Sequence, residues 1–110
     1  MRQGEIWYAD LNPTKGSEQA GLRPVVVVSG NLLNLHLNIV IVVPLTTKIK
    51  KYKGNPILLP TQTNGLQNES EMLVFHIRSI SKDRLVRKTG NIESSEIDRA
   101  VKTLNDILKY

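Results

Sequence analysis

The sequence predicts a mainly β fold: a small curled antiparallel sheet with one amphipathic C-terminal α-helix packed against it. Two observations predict it. Short apolar segments of strand length recur between residues 5 and 79, separated by Gly, Pro and Asn, which is the spacing of a small antiparallel sheet. The tail then changes period. Ile97, Ala100, Val101, Leu104, Ile107 and Leu108 follow helical intervals, while Asp98, Arg99, Lys102 and Asp106 occupy the rest of the wheel. Several strands followed by one terminal helix suit a sheet curled over a core, packed by short helices.

The elements follow in order. Glu5 to Asp10 is the first strand, with Ile6 and Tyr8 alternating against Trp7 and Ala9. Asn12 to Leu22 is a polar loop. Val25 to Ser29 is nearly continuously apolar, as expected of a strand buried on both faces or central in a barrel. Asn31 to His36 reads as a short helical turn. Asn38 to Leu45, carrying Ile39-Val40-Ile41-Val42-Val43, is a strand stopped by Pro44 and the polar Thr46-Thr47. Pro56 to Leu59 and Met72 to Ser79 read as two more strands, with Asn64-Gly65 marking a turn between them. Glu69-Ser70-Glu71 reads as an exposed turn. Ser94 or Ser95 is placed to cap the last helix, and Ser95 with Asp98 resembles a capping box.

The chain's 110 residues are the size of one domain with one core, so residues 1–110 are read as a single unit. There are no cysteines, which excludes disulfides, thiolate zinc sites and cysteine nucleophiles and fits a reducing cytoplasm. No signal peptide is evident, and the apolar runs are far short of a membrane span. Fifteen Lys and Arg against ten Asp and Glu leave a net charge of +5, which favours polyanionic partners.

The most informative stretch is Gly16-Ser17-Glu18-Gln19-Ala20-Gly21-Leu22-Arg23-Pro24. Two glycines let the polar loop bend tightly. Pro24 fixes its own backbone and biases Arg23 toward an extended conformation, aiming a permanently charged fork that fits phosphate. A lid with a fixed cation at its root suits a phosphate-handling site.

Four pieces of the chain resemble the MazF/PemK family of toxin endoribonucleases (mRNA interferases). Gly4-Glu5-Ile6-Trp7 with Asp10 to Lys15 resembles the family's opening strand and turn. Gly16 to Pro24 resembles its loop, ending in the arginine. Val43-Pro44-Leu45-Thr46-Thr47 resembles the strand end that carries an active-site threonine, and Ile77-Arg78-Ser79-Ile80 the late strand before the final helix. The chain departs from the family at Phe75-His76, where a glutamine, sometimes preceded by an acid, is common. The resemblance implies an SH3-like barrel, a homodimer, an acidic antitoxin protein as partner and a cytoplasmic setting, with no cofactor. It also implies metal-independent cleavage of single-stranded RNA at a short sequence, by attack of the ribose 2′-hydroxyl on the adjacent phosphorus.

Within that chemistry Arg23 stabilises charge that grows on the phosphoryl oxygens; otherwise it is a surface arginine paired to a carboxylate. Thr46 donates to a phosphate oxygen and fixes the group for in-line attack, against the ordinary alternative that it bonds its own backbone. Glu18 stands between two roles, proton acceptor from the 2′-hydroxyl or salt-bridge partner of Arg23. Ser17, Gln19 and Thr47 are candidate substrate contacts. Lys48, Lys50, Lys51 and Lys53 either track the RNA backbone or form a solvated loop. His76 suits proton transfer by type, yet a lone histidine in an apolar strand is commonly packed. His36 and His76 are too few ligands for a metal site. Two other readings remain open: a CcdB-like gyrase-binding toxin that shares the barrel, and a non-catalytic barrel that binds nucleic acid.

Overall fold

The structure is a computed structural model that describes residues 1–12 and 21–110. Seven strands are formed among the described residues: β1 (Glu5–Asp10), β2 (Leu22–Val27), β3 (Ile39–Thr46), β4 (Ile57–Leu58), β5 (Ser70–Met72), β6 (Arg78–Ser81) and β7 (Leu85–Asn91). Helix α1 (Asn31–His36) follows β2, and α2 (Ser94–Lys109) ends the chain. The strand order is β4-β5-β3-β2-β1-β7, with β6 also paired to β3, and every pairing is antiparallel. The sheet is the curled antiparallel one expected from the sequence, and it forms a half-barrel.

Alternation along the central strands gives the sheet two apolar faces. Ile6, Val26, Val43 and Leu45 point to one side, where Ile97 and Ala100 of α2 and Leu58 and Met72 of the β4–β5 pair cover them. Ala9, Val25, Val27, Val40 and Val42 point into the curl, closed by Ile80 and Leu85. Val25, Val26 and Val27 are completely buried, so β2 is the two-faced strand its apolar run announced. Each such valine contributes about 1.5–3 kcal/mol of burial, which makes this strand the rigid reference for everything at its ends.

Four local expectations are corrected. Met72 to Ser79 is not one strand. Its middle, Val74–His76, is a 3₁₀ turn looped out between β5 and β6, both of which pair with β3. The segment Glu69-Ser70-Glu71 is not an exposed turn: Ser70–Met72 is β5, and Glu71 has no exposed surface. The cap of α2 is Glu93 rather than a serine, with a reciprocal box in which Glu93 N donates to Glu96 Oε1 at 2.8 Å. Strand β7 was not foreseen. It is an edge strand whose Val86, Arg87 and Lys88 face outward, with Leu85 alone buried among Leu85–Lys88.

The Asn64-Gly65 turn forms as expected. Gly65 has φ +67°, and a Cβ there would lie 2.3 Å from Thr89 O, so the turn lies directly on the backbone of β7. The buried Asn64 side chain holds it by accepting from Thr61 N and Leu66 N, both at 2.9 Å.

Candidate active site

Strand β2 sits between β1 and β3, and both neighbours help to set Arg23. Ala9 of β1 is its paired residue. On the other side the β2–β3 register runs Val27↔Val42, Val26↔Val43 and Val25↔Pro44. The ladder ends there because Pro24 and Pro44 have no N–H to give. Arg23 and Thr46 each lie two residues beyond that last pair, at the same end of the antiparallel β2–β3 pair. The arginine and the threonine therefore belong to one end of the sheet. Arg23 is exposed there and Thr46 half-buried.

The root of the loop before Arg23 is tied down. Gly21 N donates to Asn12 Oδ1 at 3.1 Å, Leu11 N to Gly21 O at 2.9 Å and Asn12 N to Asp10 Oδ1 at 3.0 Å. Arg84 reaches across to donate to the carbonyls of Asp10 and Asn12. Ser17, Glu18 and Gln19 lie outside the described residues.

Beyond Thr46 the surface opens into a groove of about 360 Å³, lined by Thr46, Lys48, Lys50, Tyr52, Leu73, Phe75 and His76. Four of the sequence candidates thus meet in one place: Thr46, Lys48, Lys50 and His76. Thr47 is exposed next to them. The hydroxyl of Thr46 accepts from Lys48 N at 3.1 Å, so the backbone bond considered in the sequence does form. It uses the oxygen as acceptor and leaves the hydroxyl hydrogen to donate outward. His76 is not a packed strand residue. The 3₁₀ turn carries it, half-buried, to the groove wall beside Phe75.

What shapes the lysine-rich segment is Glu71, a residue whose sequence neighbourhood reads as a surface turn. Its Oε1 accepts from Lys50 N at 2.8 Å and Lys51 N at 2.9 Å, and its Oε2 from Tyr52 N and Asn55 Nδ2, both at 3.0 Å. Burial alone pushes this carboxyl up. The bonds from Asn55 and from the three backbone N–H groups outweigh burial and hold its pKa below the ordinary value. The wrap around one carboxylate forces Lys51 to φ +56°, an unusual conformation for a side-chain-bearing residue. Asn55 continues the chain of contacts, accepting from Val74 N at 3.3 Å. One buried Glu–Asn pair therefore ties the lysine segment to the turn bearing Phe75 and His76. The only signal for it in the sequence is an acid immediately before the apolar run Met72 to Phe75.

Two further groups lie near this end. Arg78 is paired with Val42, and its Nη1 is buried without a hydrogen-bond partner among the described residues. Trp7 packs against the inner apolar cluster and donates from Nε1 to Glu5 Oε1 at 2.9 Å, which makes it a structural residue. Among the described residues no three His, Asp or Glu side chains are grouped to hold a metal ion, and no helix is long and apolar enough to cross a membrane.

Comparison with known proteins places this arrangement in a family. Residues 2–108 match the family described as PemK-like, MazF-like toxin of type II toxin–antitoxin system. The curated protein Endoribonuclease MazF9 of Mycobacterium tuberculosis is 39% identical over 115 residues, covering 97% of this chain and 98% of that protein. Among solved structures, MazF from Deinococcus radiodurans (Form-I) has a TM-score of 0.85 at 22% identity, covering 100% of this chain and 97% of the other. An endoribonuclease from a Mycobacterial species, solved in complex with its cognate antitoxin, has a TM-score of 0.79 at 21% identity, covering 98% and 94%. At those identities the structural likeness speaks for the fold.

Proposed function

The chain belongs to the PemK-like, MazF-like toxins of type II toxin–antitoxin systems, and on that premise we propose that it is a toxin endoribonuclease cutting single-stranded RNA at a short sequence without a metal ion. The observation that supports the chemistry is the antiparallel β2–β3 pairing, which leaves Arg23 and Thr46 at one end of the sheet, with Thr46 lining a cationic groove. In this reading the Thr46 hydroxyl donates to a phosphate oxygen and holds the diester for in-line attack. Arg23 stabilises the negative charge that grows on the phosphoryl oxygens. Glu18 takes the proton of the 2′-hydroxyl as its oxygen bonds to phosphorus. The bond from phosphorus to the 5′-oxygen breaks, and that oxygen takes a proton from water. The products carry a 2′,3′-cyclic phosphate and a 5′-hydroxyl.

Ser17, Gln19, Thr47, Lys48 and His76 are the proposed substrate contacts, with Lys48 and Lys50 facing the RNA backbone. Residues 1–110 act as one toxin domain in the cytoplasm. A homodimer is supported by the exposed apolar side chains of α1, Leu32 and Leu35, each 75% exposed. An acidic antitoxin peptide that folds on binding suits a basic groove that must be silenced, and the Mycobacterial relative solved with its cognate antitoxin supports the same assignment.

Incubation of the full chain with a defined transcript in excess chelator tests the proposal. Cleavage that persists and leaves cyclic phosphate ends is the expected result. Cleavage abolished by the chelator, or products with 5′-phosphate ends, would refute this mechanism.

A further inference from the structure

We propose that Tyr52, Phe75 and His76 form a stacking subsite for one unpaired nucleobase beside the scissile phosphate, an inference that rests on the nuclease reading of the groove. The three rings adjoin one another, with Tyr52 and Phe75 exposed and His76 half-buried. Tyr52 and Phe75 meet edge to face with centroids 5.2 Å apart and planes at 85°. Phe75 and His76 follow with centroids 4.7 Å apart, tilted by 48°. Tyr52 is 50% exposed and Phe75 46% exposed, so large ring faces stay in water although neither is needed to close either core cluster.

The rings come from two separate segments, and a buried device sets their spacing. Glu71 holds Tyr52 N, and Asn55 bridges Glu71 to Val74 N at the start of the turn carrying Phe75 and His76. A stacking platform needs such fixing, because rings already held in place lose little conformational freedom when a ligand arrives. The strained φ of Lys51 is part of the same arrangement.

Charge and position identify the ligand. The groove at about 360 Å³ is near the lower end of small-molecule sites, roughly 300–1,000 Å³. Lys48 and Lys50 line it together with the Thr46 hydroxyl. A π surface between cations and a phosphate-directed hydroxyl matches a nucleotide: the base stacks on the rings while the flanking phosphates meet the lysines. His76 adds ring nitrogens that donate or accept at the edge of the stack. The subsite therefore holds one base, with Tyr52 and Phe75 supplying the exposed ring surface and His76 the polar edge.

The test is cleavage by the full chain of a short RNA in which each nucleotide flanking the cut is made abasic in turn. One abasic position is expected to lower kcat/KM by about 5- to 150-fold, the worth of one stacked base. Phe75→Ala should lower cleavage of intact RNA by a similar factor and remove the penalty at that same position. Phe75→Leu, which keeps apolar bulk but has no ring face, should behave like Phe75→Ala while retaining the native melting temperature. Unchanged abasic penalties in both variants overturn the inference. So does a loss confined to binding of the acidic antitoxin peptide, which would assign the rings to the protein partner. Failure of the unaltered chain to cut any RNA removes the nuclease reading itself, a distinguishable outcome.

Discussion

Replacing Glu71 by glutamine isolates the group that shapes the groove. The native carboxylate is fully buried and accepts four hydrogen bonds, two on each oxygen. Glutamine has the same shape but a single acceptor oxygen. Its amide NH₂ would face two donors, either Lys50 N and Lys51 N or Tyr52 N and the Asn55 amide. A hydrogen bond to a charged acceptor contributes about 1.5–3 kcal/mol, so losing two costs about 3–6 kcal/mol. That is a large part of the usual 5–15 kcal/mol for a domain. The melting temperature should fall by roughly 10–25 °C. Urea unfolding at pH 7 measures the loss as a shift in midpoint at constant slope. A loss below about 1 kcal/mol would refute the claim that this carboxylate organises residues 48–55.

Acid titration checks the same reasoning independently. The folded pKa of Glu71 lies below its ordinary value. Its contribution is therefore complete above the unfolded pKa and disappears as pH falls through the folded one. Glu71→Gln should flatten that part of the acid limb. Glu5 keeps an acid limb of its own in the variant. Burial pushes its carboxyl up, but bonds from Trp7, the Arg2 backbone and Lys88, together with the Lys88 charge, bring the net pKa down.

Arg23→Ala should leave the fold intact and lower RNA cleavage by roughly 10²–10³, the cost of one missing transition-state donor; cleavage within threefold of native would remove Arg23 from the mechanism. Thr46→Val keeps the shape but removes the donated hydrogen bond, and is expected to slow cleavage about 10- to 100-fold, as removal of a positioning group does, with thermal stability little changed. Replacing Lys48 and Lys50 together by alanine should reduce the salt dependence of RNA affinity by about 0.7 for each phosphate no longer neutralised; an unchanged slope in a salt titration would return both lysines to a solvated loop. Gly65→Ala combines a φ of +67° with a Cβ lying 2.3 Å from Thr89 O, and should destabilise by about 2–4 kcal/mol in urea unfolding.

Much of the architecture was legible because it is local. The unbroken valines of residues 25–28 marked a strand with no solvent face, and the tail's helical period marked α2 with Ile97 and Ala100 on its inner side. The Gly16 to Pro24 stretch pointed to phosphate chemistry by residue type, and Thr46 did so only through the resemblance of Val43 to Thr47 to the family's strand end. Strand β7 escaped because an edge strand needs few buried residues, and outward Arg87 and Lys88 look like a loop. His76 resembles a packed strand residue because its neighbours are apolar, and only the looped-out turn between two ladders on β3 takes it off the strand.

By itself, then, the sequence determined which segments must be buried and which residue types can serve an anionic substrate, since both follow from side-chain chemistry and spacing along the chain. Tertiary structure alone decided which of those residues meet. The antiparallel pairing of β2 with β3 brings Arg23 and Thr46 to one end of the sheet. The burial of Glu71 turns an apparent surface acid into the anchor that brings Tyr52 to Phe75. Both depend on pairing between segments far apart in sequence, where hydrogen-bond partners are supplied by the fold and leave no periodic trace in either segment.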